Sequence, residues 1–294
     1  MADASVFDLT QETVMTAAAR IPLQETSGAT RATSATYALM GGLEYVAGTD
    51  AATAMSVGKL YCVDMSAWAT ADRIYSLPST ALVGERIGVY VTSGNATYEI
   101  QLRTTAASND TINGVDHDAS DWSKIFITGE IVIFRCVVAD SAWIVEHDGR
   151  IPCSVIAYRT ADDTVMSAGT WYNFDFNATR VNVGDAYDTS AFKVNVRRDA
   201  VWHVAVQWTV LVNPSGSNEA FTIRIIDSGT TTNYGSWGCI LDNNTKSTSA
   251  GSISNLFSDG DDFQPEYNNS TTANIGVDAA LSGDISKMTA MEVF

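Results

Sequence analysis

Apolar and polar residues alternate with a period of two along much of this chain, which is the pattern of β-strands. The longest alternating run covers residues 201–212. One face of that run carries Trp202, Val204, Val206, Trp208, Val210 and Val212. The opposite face is also largely apolar. We therefore expect this strand to be covered on both sides, either in the centre of a sandwich or at a subunit contact.

Shorter alternating runs flank this strand and indicate a β domain over residues 151–294. Their apolar positions are Phe192, Val194, Val196, Phe221, Ile223 and Ile225. Residues 227–275 are instead rich in Ser, Thr, Asn, Asp and Gly, a composition typical of long loops. The pattern thus predicts a group of strands followed by extended loops.

Residues 41–150 are predicted to form an earlier β domain, a sandwich. Alternating apolar positions before and after a turn signal at residues 93–95 are Ile87, Val89, Val91, Tyr98, Ile100 and Leu102. This arrangement predicts a β-hairpin with one buried face. Further strands are predicted at residues 125–128, 131–138 and 142–146.

Residues 1–40 form a lead-in that has no core of its own. A short helix is predicted within residues 7–19, and residues 20–31 have the pattern of a strand, a Ser-Gly turn and a return strand. So short a segment cannot offset its ordering entropy alone. We therefore expect a partner molecule to hold it.

The composition supports a folded protein whose partners are neither nucleic acids nor membranes. Of the 294 residues, 46% are apolar and 17% are charged, which is enough apolar material to bury a core. The 17 basic and 34 acidic residues give a net charge of −17. A field of that sign opposes binding to phosphates and anionic lipids. Because no run approaches the ~20 apolar residues of a membrane helix, no membrane insertion is predicted.

Motifs for catalysis, cofactors and structural metals are absent from the sequence. The four cysteines show no Cys-x-x-Cys spacing and are predicted to be reduced and mostly buried. The histidines are His117, His147 and His203. None of them has a second histidine nearby in sequence, and no nucleophile elbow or phosphate-binding glycine loop is present. We predict no enzymatic activity, no cofactor and no metal.

The best candidate for a ligand surface is the polar stretch between residues 227 and 275. It contains Tyr234, Trp237, Asp259, Asp261, Asp262, Phe263 and Tyr267. Aromatic rings in polar loops either pack beneath those loops or form a ligand surface. In the second case the rings would stack on a sugar, and the carboxylates would accept hydrogen bonds from its hydroxyl groups. As an alternative, the acidic run could supply oxygen ligands to calcium, although it lacks the terminal Glu of a calcium loop.

Two stretches resemble proteins of bacteriophage particles. Residues 9–40, with Ala-Arg-Ile-Pro-Leu-Gln-Glu-Thr-Ser-Gly-Ala-Thr-Arg, resemble the lead-in of many phage fibre and minor structural proteins. Residues 73–149 look like a β module of phage fibres and appendages, through Tyr-Ser-Leu-Pro, Val-Gly-Glu-Arg-Ile-Gly-Val, Thr-Ile-Asn-Gly and Trp-Ile-Val-Glu. The resemblance implies a virion protein, made in the host cytoplasm, that joins other phage structural proteins of the capsid or tail through residues 1–40.

Residues 165–294 resemble the complement-type, tumour-necrosis-factor-like jelly roll. The resemblance is carried by Val-Gly-Asp-Ala-Tyr-Asp from residue 183, by Phe-Lys-Val-Asn-Val-Arg-Arg-Asp-Ala-Val-Trp-His-Val from residue 192, and by Ser-Gly-Asp-Ile from residue 282. Ala200 stands where the family has Gly, and Trp202 where it has Tyr. The resemblance implies a jelly-roll fold and a homotrimer.

The sequence therefore favours an all-β virion structural protein. Its parts are an attachment lead-in (1–40), a β-sandwich module (41–150) and a jelly-roll domain (151–294). As a homotrimer it would serve as a fibre, spike or head-decoration protein. The alternative is a carbohydrate-binding tip that recognises a host surface glycan. A polysaccharide hydrolase is disfavoured because tail proteins of that class usually carry a long repetitive β-helix, and the sequence shows no such repeat.

Overall fold

The computed structural model describes residues 20–24, 30–34, 43–105, 109–160, 169–210, 219–241, 247–269 and 286–294. These ranges consist of strands and connecting segments, and they contain no helix, which confirms the all-β class. It follows that none of the described residues belongs to a helix able to cross a membrane. The helix predicted within residues 7–19 lies outside these ranges.

The lead-in contains two antiparallel strands, β1 (Arg20–Gln24) and β2 (Thr30–Ser34). Arg20 lies opposite Ser34, and Gln24 lies opposite Thr30. The predicted strand and return strand are therefore confirmed. Within the described part of the chain this pair forms a sheet of its own, a unit that is marginally stable in isolation.

The domain that follows the lead-in in the chain is a sandwich of two sheets. Its strands are β3 (Glu44–Ala47), β4 (Thr53–Ala54), β5 (Lys59–Asp64), β6 (Arg73–Ser76), β7 (Arg86–Ser93), β8 (Ile100–Arg103), β9 (Thr111–Ile112), β10 (Val115–Asp116), β11 (Ser123–Ile125), β12 (Ile131–Val138) and β13 (Ala142–Gly149). One sheet has the order β10-β9-β13-β12-β7-β5-β3, and the other has the order β11-β8-β6-β4. Across the interior, the rings of Tyr61 and Tyr75 meet edge to face with their centres 6.0 Å apart.

Strands β3 to β8 wind as a coil between these two sheets. Odd-numbered strands lie in the larger sheet and even-numbered strands in the smaller one. Within each sheet the neighbouring strands of this segment are parallel. Parallel neighbours need a crossover connection, and here each crossover is itself a strand of the opposite sheet.

The predicted hairpin between β7 and β8 is wrong. Both strands have the expected buried face, but β7 pairs with β5 and β12, whereas β8 pairs with β6 and β11. The segment between them crosses from one sheet to the other. A side chain at Gly94 would meet the carbonyl oxygen of Phe126 at 2.3 Å, so this crossing needs glycine for close approach and not for a hairpin turn.

The later domain is a jelly roll. Its strands are β14 (Ser154–Tyr158), β15 (Trp171–Asn173), β16 (Ala178–Val183), β17 (Tyr187–Asp188), β18 (Lys193–Asn195), β19 (Ala200–Val210), β20 (Glu219–Ile226), β21 (Asn233–Leu241), β22 (Ser247–Phe257), β23 (Asp262–Asn269) and β24 (Lys287–Val293). The inner sheet has the order β16-β14-β24-β19-β22. The outer sheet has the order β17-β18-β23-β20-β21, and β15 also pairs with β23. All these pairings are antiparallel, and the initial strand of the domain lies beside the final one. This topology confirms the predicted jelly roll.

Strand β19 carries the long alternation into the centre of the inner sheet. Trp202, Val204, Val206 and Trp208 are buried in the core, as the pattern predicts. Val201, on the opposite face, is 41% exposed. The described residues therefore cover one face of β19 and leave Val201, on the other face, partly exposed.

The long loops predicted over residues 227–275 are corrected by the structure. This stretch contains most of β21, β22 and β23, and β22 pairs with β19 along eleven consecutive residues. Ser252 and Ser254 of β22 are exposed, on the face away from the core, so their polarity does not oppose strand formation. The polar composition correctly indicated solvent contact. It did not exclude a strand, because polar side chains on the exposed face leave backbone pairing intact.

Candidate functional site

A buried network of charges lies where the two large domains meet. Its members are Glu99, Lys124, Glu130, Arg197, Arg198 and Glu292, three cations and three anions, which we call the junction network. Arg197 and Arg198 follow β18 directly, whereas Glu292 lies in the last strand. The network therefore joins segments that are far apart in sequence.

Arg198 is the centre of this network and is only 2% exposed. Its Nε donates to Glu292 Oε1 at 2.7 Å, and its Nη1 donates to Glu130 Oε1 at 2.7 Å. The backbone carbonyls of Lys124 and Ile151 accept from the same guanidinium. Burial lowers the pKa of Arg198, but the two carboxylates outweigh this effect and raise the pKa above its usual range. Arg198 is thus fully charged and fully hydrogen-bonded.

The two buried carboxylates are also satisfied by backbone donors. Glu130 accepts from the amides of Phe126, Ile127 and Ile151, at 2.6 to 3.0 Å. Glu292 accepts from the amide of Cys153 at 2.8 Å. A buried charge persists only when such partners replace water. These bonds fix the chain segment that passes from one domain to the other.

Glu99 bridges the remaining two cations. Arg197 Nε lies 2.8 Å from Glu99 Oε1, and Lys124 Nζ lies 2.9 Å from Glu99 Oε2. Burial raises the pKa of Glu99, in spite of both cations. Phe126 packs beneath the arginines, with its ring centre 3.9 Å from the Arg197 guanidinium and 4.9 Å from that of Arg198.

A pocket of about 410 Å³ opens beside the junction network. Its charged lining residues are Arg103, Asp121, Lys124, Arg198, Asp199 and Asp259, and its uncharged lining includes Gln101 and Trp122. We call it the junction pocket. The volume lies within the range of roughly 300–1,000 Å³ that is typical of small-molecule sites. Because both domains line it, neither domain forms the pocket alone.

The three acidic residues that were predicted to form a ligand surface have different partners in the structure. Asp259 lines the junction pocket, where its carboxylate binds Lys124 at 2.5 Å. Asp261 accepts from the amide of Ser258 within its own turn. Asp262 pairs with Lys193 and with Ser228, and these bonds brace the outer sheet. Of the three acidic residues, Asp259 therefore lines the junction pocket, and Asp261 and Asp262 do not.

The predicted aromatic surface is wrong for Phe263 and Tyr267. Their exposures are 0% and 1%, and their rings pack against other aromatic rings of the core. Tyr234 and Trp237 are partly buried and pack against the same core. The Trp237 ring lies over Gly251, where an added Cβ would meet its Nε1 at 2.1 Å. These four rings hold the outer sheet together and do not form a common surface.

Sequence reasoning missed the other pocket residues because no local motif unites them. The lining comes from β8, from the segment before β11, from the residues after β18 and from the turn between β22 and β23. One local signal was present: two adjacent arginines, Arg197 and Arg198, lie in a stretch that is otherwise typical of buried strands. Adjacent cations of this kind indicate buried acidic partners.

The histidines and cysteines do not form a metal-binding cluster among the residues described here. No group of three or more His, Cys, Asp or Glu side chains could hold a metal ion in these ranges. His203 Nδ1 lies 2.9 Å from Ser254 Oγ on the outside of the inner sheet. Cys62, Cys136 and Cys153 are free and buried, and burial raises the pKa of the Cys62 thiol to about 11.

A second surface feature lies on the sheet β16-β14-β24-β19-β22, on the face that points away from the core. Val201 on β19 lies opposite Leu256 on β22 and Val293 on β24, and His203 lies opposite Met291. The exposures of the four apolar side chains are 41% for Val201, 66% for Leu256, 43% for Val293 and 47% for Met291. We call these five residues the outward face. They form adjacent rows across three strands.

Several solved structures overlap about half of this chain. No protein-family model and no curated protein sequence matches the chain. Among solved structures, Eiger TNF from S. frugiperda overlaps 49% of this chain and 92% of its own, with 10% identity and a TM-score of 0.36. The globular domain of zebrafish complement 1qA overlaps 49% and 96%, with 9% identity and a TM-score of 0.34. Murine APRIL overlaps 49% and 100%, with 8% identity and a TM-score of 0.36.

Proposed function

We propose that this protein is a homotrimeric structural protein exposed on a bacteriophage particle, with no enzymatic activity of its own. The observation that carries the proposal is the outward face. Three adjacent strands present apolar side chains to solvent in a chain whose net charge is −17. Contiguous apolar patches of this kind usually mark an interaction surface.

Three copies arranged about an axis can cover this face without any other partner. Each copy would bury the apolar rows of β19, β22 and β24 against its neighbours, and the acidic remainder would stay in water. The sequence resemblance to tumour-necrosis-factor-like domains implies the same assembly. The junction network supports a structural role, because each of its carboxylates forms an ion pair with a buried arginine.

The virion assignment is supported by the lead-in and by the order of the parts. The β1–β2 pair forms its own small sheet, so a partner that orders it would offset the entropy of doing so. The resemblance of residues 9–40 and 73–149 to phage fibre proteins supplies the class of partner. We infer that residues 1–40 attach the trimer to a capsid or tail protein and that the jelly roll faces outward.

Light scattering coupled to size exclusion tests the trimer. At micromolar concentration the full chain should elute as one species of three times the 31.5 kDa chain mass. A monodisperse monomer would contradict the proposal.

Immunogold labelling of particles tests the location. Antibody against the jelly roll should decorate the particle surface, and deletion of residues 1–40 should leave a soluble trimer that no longer incorporates. Normal incorporation of the truncated chain would place the anchor elsewhere. Release of reducing ends from capsular polysaccharide would instead identify a hydrolase.

A further inference from the structure

The junction pocket contains hydrogen-bond acceptors that the protein itself leaves unused. Asp199 Oδ1 accepts from the amide of Asp259 at 2.7 Å, and Asp259 Oδ2 binds Lys124. The second oxygens of these two carboxylates accept no hydrogen bond from the described residues. Both residues are exposed and line the same pocket. The pocket therefore offers two charged acceptors to a ligand that carries donors.

The cations of the pocket are already engaged. Arg103 pairs with Asp121 and donates to Gln101 at 2.9 Å. Lys124 binds Glu99 and Asp259, and Arg198 belongs to the junction network. The three cations and three carboxylates of the lining balance one another. A lining of zero net charge gives by itself no net electrostatic attraction for ions of either sign.

An aromatic wall completes the pocket. Trp122 is partly exposed and is held by contacts outside the pocket lining. The Arg150 guanidinium lies 4.9 Å from its ring centre, and Phe134 meets it edge to face at 5.5 Å. A ring fixed in this way presents an apolar surface at little entropic cost.

The pocket is also braced by the junction network. It is lined from both large domains, and the junction network holds these domains together through Arg197 and Arg198. Ligand binding therefore requires little reorganisation of the protein. Free acceptors, a neutral balance of charge, an aromatic wall and a preformed cavity together match a neutral, polyhydroxylated ligand.

We propose that the junction pocket binds a neutral saccharide unit, with Asp199 and Asp259 accepting hydrogen bonds from its hydroxyl groups and Trp122 contacting its apolar face. This inference rests on the pocket alone and does not depend on the trimer or on the phage particle. If the proposed function also holds, the site would give an exposed structural protein a means of recognising surface glycans.

Saturation-transfer NMR on the full-length protein tests the proposal. The probes are glucose, galactose, mannose, N-acetylglucosamine and N-acetylgalactosamine. Glucuronate and glucosamine serve as charged comparisons. At least one neutral sugar should give a saturable signal at millimolar concentration, and the charged probes should bind more weakly.

The Asp199→Asn variant provides the decisive comparison. The amide oxygen can still accept from the amide of Asp259, while the free carboxylate oxygen becomes a donor. Loss of one charge-assisted hydrogen bond should weaken sugar binding about tenfold or more. Asp64→Asn is the matched control, because Asp64 also accepts a backbone amide, that of Ser66, but lies outside the pocket. Its sugar affinity should equal that of wild type.

Three results would overturn the proposal. They are no saturable signal from any neutral sugar, equal affinity in wild type and Asp199→Asn, or preferential binding of a charged probe. The molar mass of each sample is measured by light scattering in parallel. A monomer that binds sugar would refute the trimer and retain the pocket, whereas a trimer that binds none would do the reverse.

Discussion

At the residue scale, Arg198 illustrates why a buried charge in this protein is a structural element. Its guanidinium has five donors and meets two carboxylates and two backbone carbonyls. Removing one partner of such a group leaves the others buried without compensation, which costs more than the pair itself contributes. The same argument explains why all three carboxylates of the network keep cations beside them.

The variant Arg198→Met should therefore be strongly destabilised. It retains volume but leaves Glu130 and Glu292 without their cation, so the free energy of unfolding should fall by about 3–5 kcal/mol. Urea unfolding followed by tryptophan fluorescence measures this change. Arg180→Met is the control, since Arg180 is exposed and lies over the Tyr158 ring at the surface, where its loss should cost no more than about 1 kcal/mol. A loss below 1 kcal/mol at Arg198 would show that the network relaxes or admits water.

Asp262 should make stability depend on pH in the acid range. Burial raises its pKa, but hydrogen bonds from Lys193 and Ser228 outweigh this effect and leave the pKa below its ordinary value. Its contribution to stability is thus present above the unfolded pKa of about 3.9 and is lost as the pH falls through the lower folded value. Melting temperatures at pH 7, 5 and 3 should fall less steeply for Asp262→Asn than for wild type. Parallel curves would contradict this assignment.

At the element scale, the alternation of apolar residues predicted which faces are buried but not which strands pair. The buried positions of β7, β8 and β19 follow the sequence pattern. Their partners do not, because pairing depends on how the chain crosses between sheets, and the crossing at Gly94 resembles a turn signal. The polar strand β22 was missed for a related reason: its backbone is paired by β19 while Ser252 and Ser254 face solvent.

The candidate site was less predictable than the strands. Asp259 was the single pocket residue identified from sequence, and it was grouped there with Phe263 and Tyr267, which are core residues. A pocket built at a domain junction draws one or two residues from each of several distant segments. No local pattern marks such residues until the fold brings them together.

The outward face gives a direct test of assembly at this scale. In the proposed trimer, Met291→Glu would place a carboxylate in the apolar contact between copies, so the trimer should dissociate to monomers. The molar mass from light scattering measures the outcome. Val138→Glu is the matched control, because Val138 is 54% exposed but lies on the other large domain. If Met291→Glu stays trimeric, the copies meet through a different surface.

At the scale of the whole molecule, the two large domains share one core. Buried side chains from both belong to a single cluster that includes Phe126, Cys153 and Val155. The junction network adds ion pairs across the same boundary. The sandwich and the jelly roll are therefore distinct in topology but continuous in packing.

This continuity predicts a single cooperative unfolding transition. Neither domain can unfold without exposing core surface and buried charges of the other, so partly unfolded states should be scarcely populated. Differential scanning calorimetry should show one peak, with a calorimetric enthalpy that agrees with the van't Hoff value. Two resolved peaks would mean that the domains are energetically independent.

The coil of β3 to β8 has a mechanical consequence for a tethered molecule. Strand β3 is the edge strand of its sheet, and its four residues pair in parallel with β5, from Glu44 opposite Lys59 to Ala47 opposite Cys62. A force can be applied to the chain before β3 and directed along the strand axis. The hydrogen bonds of a parallel pair are then loaded together in shear and cannot be unzipped one at a time. A molecule anchored through its lead-in would thus resist detachment with all the hydrogen bonds of the β3–β5 pair at once.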